Sequence, residues 1–138
     1  PGLRATTDAA ALADVDYVLI CVPTPLTPDG RPDLVPVLTA CEAVATHAPR
    51  SVRVVLESTV DPAFVDGPLA AALGLPPEQV AHAPERVDPG QGWPVEAIPR
   101  LVGGCTPGAR AAIRVAAPVL AARNEAEQRW QLAALPAE

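Results

Sequence analysis

Two runs of the chain, Asp16-Tyr-Val-Leu-Ile-Cys-Val22 and Ser51-Val-Arg-Val-Val-Leu-Glu-Ser-Thr-Val60, are apolar and β-rich rather than regularly alternating. A strand with one wet face alternates; one covered on both faces does not, and covered strands belong to parallel sheets. Parallel neighbours need a crossover of a dozen or more residues, usually a helix. The residues between and after the runs supply it. Behind Asp33 as an N-cap, Val37, Leu38, Cys41, Val44 and Ala45 recur at helical spacing as far as His47. After the second run, Asp61-Pro62 offers a cap and a proline at the first helical position, which predicts one helix from Pro62 to about Leu73, stopping at Gly74.

Further on, Gln79 to Ala83 predicts a third strand and Arg100 to Val102 a fourth, short one, with a loop from Pro84 to Pro99 between them. A connection of that length is uncommon and often functional. Thr106-Pro107 opens an Ala-rich helix toward Ala122 that Pro118 is expected to kink, and residues 123–138 read as a short amphipathic helical extension to a domain over residues 1–122. Alternating strands and helices with apolar strands predict an α/β class with a mostly parallel sheet and right-handed crossovers. In such sheets ligands gather at the carboxyl ends of the strands.

Composition narrows the function classes. A length of 138 residues with 49% apolar content suits one compact domain. A formal charge of −6 is the wrong sign for a phosphate-backbone footprint, so no nucleic-acid partner is expected. No long apolar run and no signal-peptide pattern is present, so neither membrane nor export is expected, and the location is read as cytoplasmic. Cys21, Cys41 and Cys105 are too widely spaced for a metal knuckle, and as an odd set they do not make a disulfide framework. They are expected to be small buried filler, Cys21 above all because it sits inside an apolar run. His47 and His82 have no companion ligand at metal spacing and are read as structural or surface residues, and no metal is expected. Every basic residue is Arg, so no catalytic lysine is available, and the absence of Met predicts a processed beginning.

Three polar segments fall at the predicted carboxyl edge: Pro23-Thr24-Pro25, Ser58-Thr59 and Glu85-Arg86. Hydroxyl and backbone donors there can hold ribose or phosphate oxygens, and a carboxylate beside an arginine can serve as a positioned acid or base. Each also has a plain reading. Pro23 can simply terminate a strand, Ser58 and Thr59 can cap the helix at Pro62, and Glu85 with Arg86 can be a solvated ion pair. Glu57, ending a buried strand, needs a partner for its carboxylate. Trp93 in the long loop can stack on a ligand, but packing is the commoner role.

At these same strand ends the sequence resembles the UDP-glucose/GDP-mannose dehydrogenase family, most of all its UDP-N-acetylmannosamine dehydrogenase branch. The matching words are Ile20-Cys-Val-Pro-Thr-Pro-Leu26, Glu57-Ser-Thr-Val60 and Pro84-Glu-Arg-Val-Asp-Pro-Gly90. Weaker matches follow in order at Gly2 to Asp8, Gly30 to Leu34 and Pro99 to Gly104. The resemblance covers roughly Gly2 to Leu120. It implies the second half of a Rossmann-type, three-layer NAD-binding domain without its first βαβ unit.

The family's roles, carried over by resemblance, imply that Val22, Pro23, Thr24, Ser58 and Thr59 line an NAD site and that Thr59 orients a catalytic water. They imply that Glu85 is an acid or base, and that Glu85, Arg86 and Val87 hold a nucleotide sugar. The reaction so implied oxidises the C6 alcohol of a UDP-sugar to a uronic acid with two NAD, through a cysteine thioester. This chain departs from the pattern: it has no GxGxxG turn to seat a pyrophosphate, none of Cys21, Cys41 and Cys105 matches the segment that presents the family's catalytic cysteine, and Asp61-Pro-Ala-Phe64 stands where the family has Pro-Gly-Thr after the strand. It is therefore expected to be part of such an enzyme, unable to complete the reaction alone. Two other readings stand beside this one. The first is a shortened homologue that has lost redox chemistry and takes another small molecule in the strand-end cleft. The second is a non-catalytic domain that forms a homodimer across an exposed sheet edge.

Overall fold

A computed structural model describes residues 4–84, 101–104, 106, 107 and 109. Its centre is a sheet of three parallel strands, β1 (Tyr17–Ile20), β2 (Arg53–Leu56) and β3 (Val80–His82), in the order β1-β2-β3. The register aligns Leu19 with Val55 and Val55 with Ala81. Strand pleating sends alternate residues to opposite faces. Accordingly Ile20, Val54, Leu56 and Val80 enter one apolar cluster, while Val55 and Ala81, with Leu19 packed against them, enter another.

The strands are added in one direction, so crossovers of one hand must lie on one face. That face carries α1 (Val35–His47) and, after a single-turn α2 (Pro62–Val65), the helix α3 (Pro68–Leu73). Val37, Cys41 and Val44 of α1 share the larger cluster with Leu69, Ala70 and Leu73 of α3. The smaller cluster adds Ala83, Val102 and Ala109.

The expected crossover helix is thus split in two. Apolar residues at Val65, Leu69 and Leu73 keep helical spacing across the break. However, Pro68 has no N–H to donate and disfavours helical backbone in the residue before it, and Gly67 takes φ 140°, open to glycine alone. The caps are as the sequence predicts: the Asp61 carboxylate accepts the Ala63 N–H at 2.8 Å, and Gly74 closes α3 in the left-handed region at φ 62°. Asp33 acts one position early, accepting the Val35 N–H at 2.9 Å while Leu34 is the residue that flanks α1.

Three further expectations change. The strand over Arg100–Val102 is not formed at the described positions Leu101 and Val102. Instead Gly103 makes an isolated antiparallel bridge to His82, with N–H···O bonds of 2.7 and 2.9 Å. Cys21 is exposed, because β1 ends at Ile20 and position 21 lies past the ladder; Cys41 is the buried one. The Thr106 hydroxyl accepts the Ala109 N–H at 3.1 Å and the backbone is helical at Pro107 and Ala109, but the expected course of that helix toward Ala122, the Pro118 kink and the extension over residues 123–138 lie outside the described residues.

At the amino-terminal end of the sheet, Gln79 donates from Nε2 to the carbonyls of Arg50 (3.0 Å) and Val52 (2.7 Å), and Arg50 donates to the Gly74 carbonyl at 2.7 Å. The loops at that end are joined to one another by side chains.

Leu56 is wholly buried in the larger cluster. Leu56→Ala is expected to cost about 2–5 kcal/mol, seen as a lower urea midpoint at unchanged slope. Burial lifts the Cys41 thiol to about 11, so peptide mapping after treatment with a thiol reagent should find Cys41 modified only as fast as the domain unfolds.

Candidate functional site

The carboxyl edge is built from the residues that follow each strand. The ladder continues briefly past β2, the Glu57 N–H donating to the Ile20 carbonyl and the Ala83 N–H to the Leu56 carbonyl, each at 2.9 Å. Beyond these bonds, side chains hold the edge. Ser58, only 7% exposed, turns its hydroxyl inward and donates to the Val22 carbonyl at 2.6 Å. Val22 packs its side chain against the larger cluster. The ends of β1 and β2, which carry two of the sequence words, are thereby tied together.

Thr59, one residue on, is exposed. Its plain reading as a helix cap is displaced, because Asp61 takes that role at Ala63. Ser58 likewise spends its hydroxyl on Val22 rather than on α2. Nor does Pro23 end a strand, since β1 has stopped at Ile20 before Pro23 is reached. Pro23 is exposed and Thr24 half-buried on the same edge. Glu85, Arg86, Val87 and Trp93 lie outside the described residues.

Two parts of this edge were not anticipated. The first is a hairpin after Pro23-Thr24-Pro25. Leu26 bridges Pro32, the Asp33 N–H donates to the Pro25 carbonyl at 2.8 Å, and the turn closes from the Gly30 N–H to the Thr27 carbonyl at 2.9 Å. Its signal was legible in Thr27-Pro-Asp-Gly30, a turn sequence with proline and glycine at favoured places. The Asp29 carboxylate is bonded by the Thr27 hydroxyl and by Arg31, which in that order hold it below its ordinary range.

The second is His82, a half-buried imidazole whose Nε2 lies 3.1 Å from the Ser58 carbonyl. A carbonyl only accepts, so Nε2 carries the hydrogen in the neutral ring. Its only signal in the sequence was a polar residue inside a short apolar strand. Burial pushes His82 below its ordinary value, partly offset by the Ser58 carbonyl and by the negative charge of Glu57. Among the described residues no group of three His, Cys, Asp or Glu is arranged to hold a metal ion, and no helix is long and apolar enough to cross a membrane.

The depressed His82 fixes a pH window. Below the ordinary value of 6.5 the unfolded chain binds a proton that the native chain resists. Stability is therefore full above that value and lost as pH falls through the lower native one. Urea midpoints between pH 7.5 and 5 should decline for the unaltered chain, and the decline should be shallower for His82→Gln.

Comparison with known proteins gives this edge a lineage. Residues 2–116 match the UDP-glucose/GDP-mannose dehydrogenase family, NAD binding domain. UDP-N-acetyl-D-mannosamine dehydrogenase of Salmonella typhi is 35% identical over 120 residues, which cover 76% of this chain and 28% of that protein. NDP-N-acetyl-D-galactosaminuronic acid dehydrogenase of Ralstonia solanacearum is 38% identical over 120 residues, covering 76% of this chain and 27% of that protein. The solved UDP-D-ManNAc dehydrogenase of Pyrococcus horikoshii superposes with a TM-score of 0.65 at 34% identity, over 80% of this chain and 28% of that one. The chain spans little more than a quarter of the length of these relatives. It belongs to the UDP-glucose/GDP-mannose dehydrogenase family, as a stretch of that family's NAD-binding domain.

Proposed function

We propose that this chain supplies the nicotinamide and sugar side of an NAD-dependent nucleotide-sugar 6-dehydrogenase, the part of a three-layer Rossmann-like domain that follows its first βαβ unit. The observation that carries the reading is the 2.6 Å bond from the Ser58 hydroxyl to the Val22 carbonyl, which brings two of the family's words side by side at the carboxyl edge.

The residues suit that half of the dinucleotide. Ribose hydroxyls and a carboxamide need hydroxyl and backbone partners on an open edge, and exposed Thr59 and half-buried Thr24 offer both. NAD, when bound, takes up hydride from the substrate carbon. Val22, Pro23, Thr24 and Thr59 line the cofactor in this reading, with buried Ser58 behind them, its hydroxyl on the Val22 carbonyl, and Thr59 orients water. Glu85 moves a proton as acid or base, while Arg86 and Val87 hold the nucleotide sugar. The sequence has no GxGxxG turn, and none of its three cysteines matches the family's catalytic-cysteine segment, so the pyrophosphate seat and the thioester step are assigned to other parts of a complete enzyme.

Thermal unfolding with NAD and with a UDP-N-acetylhexosamine tests this. A ligand at a hundred times its dissociation constant adds about 2.7 kcal/mol of stability. NAD is expected to raise the melting temperature, and Thr59→Ala to weaken it about fivefold through loss of one hydroxyl contact. No shift with either ligand at millimolar concentration overturns the reading.

A further inference from the structure

We propose that His82 is the positioning residue that sets the orientation of the Ser58–Thr59 peptide at the carboxyl edge, donating from Nε2 to the Ser58 carbonyl while its own backbone is locked to Gly103. The proposal rests on the reading that Thr59 faces the cofactor.

The last ladder bonds at this end of β2 involve Glu57 N–H and the Leu56 carbonyl. Past them, Ser58 is held by its hydroxyl on the Val22 carbonyl at 2.6 Å and by the His82 ring on its own carbonyl at 3.1 Å. One bond reaches toward β1 and the other toward β3, so the residue is braced from both sides. The described chain has no cis peptide. In a planar trans peptide the carbonyl and the following N–H point opposite ways. Fixing the Ser58 carbonyl on His82 therefore aims the Thr59 N–H away from β3.

The ring is itself restrained. The His82 N–H donates to the Gly103 carbonyl at 2.9 Å and its carbonyl accepts the Gly103 N–H at 2.7 Å. That pair fixes the His82 backbone on the side away from β2, and half-burial limits the ring's alternatives. An apolar side chain here would fill the space and leave the Ser58 carbonyl with no donor from β3. A Gln would restore the donor, because its Nε2 reaches about as far from the backbone.

The test uses the full chain, unaltered and as His82→Leu and His82→Gln. Long-range proton–nitrogen spectra of the unaltered protein are expected to show the hydrogen on Nε2. In His82→Leu the Thr59 amide resonance should move while those of Val54 and Val55 stay, and NAD should bind about tenfold more weakly, the effect of one buried hydrogen bond. His82→Gln should return both toward the unaltered values. A hydrogen on Nδ1 overturns the proposal. So does an unmoved Thr59 amide in His82→Leu, or an equal displacement in both variants, which marks the ring as packing only. Should NAD fail to bind the unaltered chain, the cofactor reading falls, and the tautomer and the Thr59 amide still decide whether His82 orients this peptide.

Discussion

Everything described in this chain hangs on β2, the strand with a paired neighbour on each side and apolar layers above and below. Val54, Val55 and Leu56 are all but inaccessible to water. Their burial on alternate faces sets the register: a slip of one residue would bring Val55 under the helices and carry Val54 and Leu56 to the other layer. A slip that set Leu56 in the place of Val55 would also put a larger side chain between Leu19 and Ala81. Register and packing thus enforce one another.

The two ends of the sheet are finished by different means. At the amino-terminal end, long side chains from Gln79 and Arg50 reach loop carbonyls, including that of Gly74. At the carboxyl end short or rigid groups do the work, Ser58 and His82, each within a residue or two of its strand. A short tether allows little play, so the segments after β1 and β2 are held in fixed relation at this edge. The Thr27–Arg31 hairpin beside it is braced within itself, through exposed groups whose pairing contributes little to stability. It therefore has a shape of its own without relying on the core.

The strands and the first crossover were legible because burial on both faces writes itself as an unbroken apolar run. The caps at Asp61 and Gly74 were legible because their chemistry is local. The split between α2 and α3 was masked by Val65, Leu69 and Leu73, whose spacing argues for one helix across a Gly-Pro pair that forbids it. For Cys21 the apolar run outlasted the paired ladder, and exposure follows the ladder. At the edge, the words around Val22 and Ser58 could be located from sequence. Which of two adjacent hydroxyls turns inward depends on the carbonyl of Val22, just past β1, and the use of His82 depends on that of Ser58, just past β2. Those are relations between segments far apart in the chain, and no local pattern encodes them.

The hairpin and α1 also bear on how the sheet comes together. Tyr17 and Arg53 are paired neighbours 36 residues apart in sequence, and closing so long a loop has an entropic cost that grows with the length of free chain. A self-braced hairpin and a helix of 13 residues lie inside that interval. Both rest on local contacts, which form in microseconds or less. While they are in place, the free chain between β1 and β2 is far shorter than the count of residues implies, which lowers the entropic cost of the first parallel pairing.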